Sequence, residues 1–179
     1  MSQILAQAAK YTTPSERLQK QKSAIAEQAI KLVQKAASGY SQVTGIEIVG
    51  SYAKGTWLPR KADIDVFVKL HADTPEKEFV EIGKNIGFAA LKQFKPYVRY
   101  AEHPFVEAQI QDTKVNVVPC YDVLEGAWKS SADRSPFHTK FMIKSLSDSM
   151  KNEVRLLKAF LKANDIYGAE IARQGFSGY

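Results

Sequence analysis

The sequence predicts an α+β protein: a mixed, mostly antiparallel five-stranded sheet with helices packed on it, followed from about residue 135 by the start of a helical domain. Three observations lead there. Segments with helical apolar spacing alternate with short β-rich runs in the order helix, two strands, helix, three strands, which suits a single sheet covered by helices. The last two strands are separated by a turn too short for a crossover, so they form an antiparallel hairpin. Past Pro119 strand formers become rare and helix formers take over.

"TTPSERLQKQKSAIAEQAIKLVQKAAS" opens with Thr13 as an N-cap, Pro14 at the first helical position and Glu16 completing a capping box. Leu18, Ile25, Leu32, Val33 and Ala36 recur at helical spacing among Lys, Gln and Glu, which makes one amphipathic helix ending near Gly39. "GIEIVGSY" is a strand ending in a turn. In "ADIDVFVKL", Ile64, Val66 and Val68 alternate with Asp63, Asp65 and Phe67, the period of a second strand. "TPEKEFVEIGKNIGFAALKQF" is a second helix, again introduced by Thr-Pro. "PYVRYAEH", "FVEAQIQD" and "TKVNVVPCY" are three strands, the last two joined by an Asp112-Thr113 turn. "VLEGAWKSSADRSPFHTK" carries several breakers and reads as a connection, in which Ser135 can N-cap a helix beginning at Pro136. "FMIKSLSDSMKNEVRLLKAFLKANDIYGAE" is helical. The chain thus divides into a domain over residues 1–134 and the beginning of another over 135–179.

The bulk numbers narrow the class. With 179 residues, 25 Lys+Arg against 19 Asp+Glu, a net charge of +6 and a pI near 9.3, the protein leans toward a polyanionic partner. The single cysteine, Cys120, excludes an internal disulfide framework, reads as a small buried hydrophobe and fits a reducing cytoplasm. The N-terminus lacks the long apolar core of a signal peptide, and nowhere do eighteen apolar residues run together, so no membrane partner is expected.

One stretch needs a chemical reason: "VGSYAKGTWLPRKADIDVFVKL". Asp63 and Asp65 share one face of a strand, ~7 Å apart, and two carboxylates so placed repel unless a cation lies between them. An oxygen-only pair suits Mg²⁺, which takes one or two carboxylates together with phosphate oxygens. A lone Asp-x-Asp is more often a solvated strand face. Upstream, however, Gly50 and Ser51 end a strand in a turn where backbone N–H groups can hold phosphate oxygens, with Lys54 and Arg60 adding charge between.

This hydrophobic-Gly-Ser turn, spacer and Asp-x-Asp strand resembles the nucleotidyltransferase superfamily typified by DNA polymerase β. "VRYAEHPFVEAQI", "VNVVPCYDV", "DRSPFHTKF", "NEVRLLKAFLKANDIYGAE" and "GFSGY" follow one another as do segments of archaeal-type (class I) CCA-adding tRNA nucleotidyltransferases, over residues from about 46 to 179. The resemblance implies that Asp63 and Asp65 bind two catalytic Mg²⁺ ions. It also implies that Gly50, Ser51 and Lys54 meet the triphosphate, and that Ser135, His138, Lys158 and Tyr167 line the incoming nucleotide. The implied reaction adds C, C and A from CTP and ATP to the 3′ acceptor end of tRNA without a template, and full-length relatives are often homodimeric.

Each residue also has a plainer reading. Ser135 could be a cap, His138 a surface or packing histidine, and Tyr167 a core aromatic. Lys151, Arg155, Lys158 and Lys162 form a basic stripe beside an apolar stripe of Met150, Val154, Leu157 and Leu161, which an ordinary solvated helix face would explain. Residues 125–162 hold eight Lys or Arg against four acidic residues.

Two departures qualify the resemblance. Asn116 stands where the family carries a third carboxylate. A neutral amide can offer an oxygen to a metal but cannot accept the hydroxyl's proton, so weaker metal binding and a large loss of rate are expected. A natural variant and a substitution made to silence the site are equally compatible with that residue. Family members also extend well past the "GFSGY" segment. The alternatives are therefore a non-catalytic nucleotide- or RNA-binding fragment, a split-enzyme subunit, or a nucleotidyltransferase acting on another RNA end or a small molecule.

Overall fold

The computed structural model describes residues 3–59, 62–100 and 104–167. Arg60 and the "GFSGY" segment named above lie outside the described residues. Strands β1 (Val43–Val49), β2 (Ile64–His71), β3 (Tyr97–Arg99), β4 (Phe105–Ile110) and β5 (Thr113–Asp122) form one sheet in the order β1-β2-β5-β4-β3. The β2–β5 pairing is parallel and the other three are antiparallel. The mixed, mostly antiparallel sheet of the sequence reading is the one observed. The helices are α1 (Gln3–Thr12), α2 (Glu16–Ala37), α3 (Gly50–Ala53), α4 (Glu76–Leu91), α5 (Arg134–Ser145) and α6 (Asp148–Ala163).

Strand periodicity decides the core. Ile64, Val66, Val68 and Leu70 of β2 leave no exposed surface, and they meet Ile25, Ala29 and Val33 of α2 and Phe79 and Ile86 of α4. Each such side chain contributes about 1.5–3 kcal/mol on burial. α4 comes unusually close to the sheet because two of its residues lack side chains. A Cβ on Gly87 would lie 2.5 Å from Val106 Cβ, and one on Gly83 2.7 Å from Pro119 Cγ. The opposite face of the sheet carries a small cluster of Val49, Phe67 and Cys120, where burial pushes the Cys120 thiol pKa up. α5 lies against that face beside β1 and α3.

Local corrections concern where elements begin. Ser15, not Thr13, caps α2: its hydroxyl accepts the Leu18 N–H at 3.3 Å, while the Pro14 carbonyl accepts from Gln19 Nε2. Ser15 has the extended backbone of an N-cap, with φ of −65° and ψ of 156°. The β4–β5 turn is Gln111-Asp112, because Thr113 already pairs with Ile110, and Gln111 takes the positive φ of 54° that two-residue hairpins favour. Lys22, buried on α2, reaches this turn through Thr113 Oγ1 and Asp112 Oδ1. The long C-terminal helix is two helices: α5 ends at Ser145, and Ser147 caps α6 by accepting the Met150 N–H.

Ser135 does not cap α5. The helix begins at Arg134, two residues before Pro136, after a 3₁₀ turn over Ser131–Asp133 whose cap is Ser130. Asp133 is 1% exposed, and four donors reach its carboxylate: the backbone N–H groups of Tyr121, Lys129 and Ser130, and the Ser130 hydroxyl. The end of β5, the connection and the start of α5 are thereby tied at one point. Removing the acceptor would leave buried donors unpaired. Asp133→Ala should lower the unfolding free energy by about 3 kcal/mol, seen as a Tm roughly 10 °C lower by circular dichroism.

Candidate functional site

The turn between β1 and α3 sets one wall of the site. Gly50 has φ of +76°, and a Cβ there would lie 2.4 Å from Asp65 Oδ2. Glycine is therefore required twice over: for the left-handed backbone and for the carboxylate pressed against it. The Gly50 N–H donates to Thr139 Oγ1 on α5 at 3.2 Å, closing the turn against the second wall.

Sheet register sets the floor. Parallel pairing places Asn116 of β5 beside Asp65 of β2, and Asn116 Nδ2 donates to Asp65 Oδ1 at 2.8 Å. Asn116 Oδ1 is buried and has no hydrogen-bond partner among the described residues. Burial raises the Asp65 pKa, opposed by the Asn116 hydrogen bond; Asp63 raises it further and Lys54 lowers it. Asp63 itself is exposed, just ahead of the first β2 residue. It is near enough to Asp65 to raise that residue's pKa.

Cations line the rest. A cleft of about 500 Å³ is bounded by Gly50, Ser51, Lys54, Asp65, Asn116, Ser135, His138, Lys158 and Tyr167 among others. Nine of the ten residues singled out from the sequence thus meet in one cavity; Asp63 does not line it. Lys54 Nζ lies 3.5 Å from His138 Nδ1. Burial lowers the pKa of both, with Asp65 pulling Lys54 back up and Lys54 pushing His138 further down. Lys158 Nζ donates to the Thr56 carbonyl at 3.1 Å and stands 5.9 Å from the centre of the Tyr167 ring. Its pKa is lowered to about 8, first by burial and then by Lys162, Lys54 and Arg155.

The basic stripe on α6 is not a solvated face. Arg155 is only 9% exposed and bonds the Gly55 carbonyl and Asn152 Oδ1, so this side of α6 lies on the turn that follows α3. The apolar stripe divides: Met150 is 44% and Leu157 57% exposed, whereas Val154 is half-buried and Leu161 is buried.

Sequence reading missed Phe105, Phe67, Val118, Ser131, Arg134 and Thr139, which also line the cleft. Thr139 was within reach, since it sits four residues after Ser135 and one after His138, on the same face of α5. Phe105 and Val118 required the sheet order. Taken together, a buried carboxylate, an amide oxygen without a partner among the described residues and the ammonium groups of Lys54 and Lys158 make a receptor for a polyanion brought in with a hard cation.

Residues 28–147 match the family described as the nucleotidyltransferase domain, and residues 152–179 match the second domain of tRNA nucleotidyltransferase. The chain is 47% identical over 138 residues to the CCA-adding enzyme of Archaeoglobus fulgidus, covering 75% of this chain and 31% of that protein. It is 38% identical over 180 residues to the CCA-adding enzyme of Pyrobaculum aerophilum, covering 100% of this chain and 43% of that one. The chain therefore spans less than half the length of these curated relatives. Among solved structures, the non-canonical poly(A) polymerase complex GLD-2–GLD-3 superposes with a TM-score of 0.70 at 15% identity, covering 100% of this chain and 56% of that one. Cid1 with the UTP analogue UMPNPP gives 0.63 at 14%, covering 91% and 44%.

The lowered Lys158 pKa has a signed consequence. In the unliganded protein, folded Lys158 loses its proton near pH 8 while the unfolded chain keeps it toward 10.5, so stability rises with pH across that window. A bound polyanion favours the ammonium form. Affinity for inorganic tripolyphosphate, measured calorimetrically, should therefore fall as pH rises through about 8, and Lys158→Arg, which stays charged, should flatten the fall.

Proposed function

Because the chain belongs to the nucleotidyltransferase domain family, we propose that it is the catalytic head, over residues 1–134, and the start of the helical central domain, over 135–179, of a template-independent tRNA nucleotidyltransferase. It adds C, C and A from CTP and ATP to the acceptor end of tRNA. The observation that carries this reading is the convergence of the Gly50-Ser51 turn, Asp65, Asn116 and the cations Lys54 and Lys158 on one cleft. Among the described residues no helix is long and apolar enough to cross a membrane, and a cytoplasmic location accords with the tRNA substrate.

The donor set fits Mg²⁺. Asp63 and Asp65 supply carboxylate oxygens, and the buried Asn116 Oδ1 is an acceptor still lacking a donor or cation. In the family's two-ion scheme, bound Mg²⁺ acidifies the attacking hydroxyl and neutralises the leaving pyrophosphate. The chain's own groups do the positioning. The α3 turn with Ser51 faces the triphosphate, Lys54 and Lys158 balance its charge, and Ser135, His138 and Tyr167 flank the nucleoside. The tRNA 3′ oxygen bonds to the α-phosphorus as the bond to pyrophosphate breaks. The Asn116 amide cannot accept the displaced proton, which passes to water instead, and it would hold a cation less tightly than a carboxylate would.

A second reading is favoured by one observation. Asn116 Nδ2 already occupies Asp65 Oδ1, as suits a head that binds Mg²⁺ and nucleotide with little turnover. Incorporation of radiolabelled CTP and ATP into tRNA lacking its CCA end separates the two. Asn116→Asp should be faster than the parent chain by roughly 10²–10⁴-fold, the usual worth of a general base. If neither chain adds a nucleotide while both bind CTP with Mg²⁺, the chain is a binding unit. If neither binds CTP, the assignment of the cleft falls.

A further inference from the structure

Asn116 has a second carboxylate beside it that nothing above uses. Across the sheet, Asp65 of β2 is opposite Asn116 of β5, and Asn116 is opposite Glu107 of β4. Directly opposed residues point to the same face, so one amide stands in a row between two acids. Glu107 is 5% exposed. Its Oε1 accepts from Tyr97 Oη and lies 3.7 Å from Lys114 Nζ, and its Oε2 lies 3.7 Å from Arg99 Nε. Those long cation distances leave acceptor capacity on the carboxylate. Asn116, by contrast, has one end satisfied by Asp65 and a buried oxygen with no partner among the described residues.

We propose that Glu107 is a positioning residue for the cation site, acting through Asn116. Resting on the reading that a divalent cation enters with the nucleotide, the inference is that the Asn116 amide reverses on cation binding. Oδ1 then turns to the side of Asp65, and Nδ2 donates to Glu107 instead. Rotation about the terminal torsion is a two-fold choice with little intrinsic preference. What decides it is which side needs a donor. Without a cation, Asp65 needs one. With a cation on Asp65, an amide hydrogen pointing there would repel it, and the charge-assisted bond to Glu107 compensates. A carboxylate at position 116 would have no such choice, and Glu107 would then be a second negative charge without a donor between.

Mn²⁺ affinity, followed by electron paramagnetic resonance at fixed CTP, tests this in a double-mutant cycle. Glu107→Leu should weaken Mn²⁺ roughly tenfold or more in the parent chain, the worth of one charge-assisted hydrogen bond. Glu107→Gln, which keeps an acceptor oxygen, should retain most of the affinity. In the Asn116→Asp background, Glu107→Leu should leave Mn²⁺ affinity unchanged or raise it. The Asn116 side-chain amide resonances should shift on Mg²⁺ addition in the parent chain. Equal weakening by Glu107→Leu in both backgrounds would mean a merely structural role and overturn the proposal, as would no weakening in either. Absence of Mn²⁺ binding by the parent chain overturns the cation reading itself, a result distinguishable from both.

Discussion

The carboxylate of Asp133 holds α5 to the sheet. It accepts from the Tyr121 N–H at the end of β5 and from Lys129 and Ser130 in the connection, so the first turn of α5 has little freedom relative to the strand that carries Asn116. Ser135, His138 and Thr139 follow from that point on one helical face. Thr139 then accepts the Gly50 N–H and secures the opposite wall. A buried charged acceptor with all its donors supplied by backbone and a cap serine is stiff, and the cleft inherits that stiffness. Groups placed before the ligand arrives lose less entropy on binding it.

The same cleft is electrostatically incomplete. Lys54, His138 and Lys158 sit close together, and burial lowers the pKa of each. Gathering buried cationic groups in one place costs stability. Their retention fits a polyanionic ligand that supplies the missing charge, in line with the general finding that functional sites hold groups at some expense of stability. Asp65 lies at the other pole, buried against Gly50 with an amide rather than a carboxylate as its neighbour. Lys54 is close enough to Asp65 for each to shift the other's pKa, so carboxylate and ammonium share one cleft.

α6 shows where pattern reasoning breaks down. Its apolar and basic stripes are both genuine, but the rule that the apolar stripe faces the core holds only in part, for Leu161 is buried while Met150 and Leu157 are exposed. The Gly55 and Thr56 carbonyls follow a turn with φ of +69° at Gly55 and need donors. Arg155 and Lys158 supply them. Hydrogen bonds to cationic donors are stronger than neutral ones, so polar pairing acts together with the burial of Leu161 to set this helix's rotation. No single-helix pattern contains that information, since the acceptors lie about a hundred residues earlier in the chain.

What the sequence determined by itself was local and periodic. The alternation of Ile64, Val66 and Val68 with Asp63 and Asp65 fixed the strand and its faces, because a period of two admits no other core face. The Gly50-Ser51 turn and the Asp-x-Asp pair marked the site, because their φ and charge requirements are costly anywhere else. Composition likewise favoured an anionic partner. The tertiary structure alone decided the contacts between distant segments. It placed Asn116 between Asp65 and Glu107, brought α5 over the sheet through Asp133, and turned the basic side of α6 inward. These depend on strand order and helix rotation, which are settled by the summed burial and pairing of the whole chain, and neighbouring residues in the sequence carry no record of them.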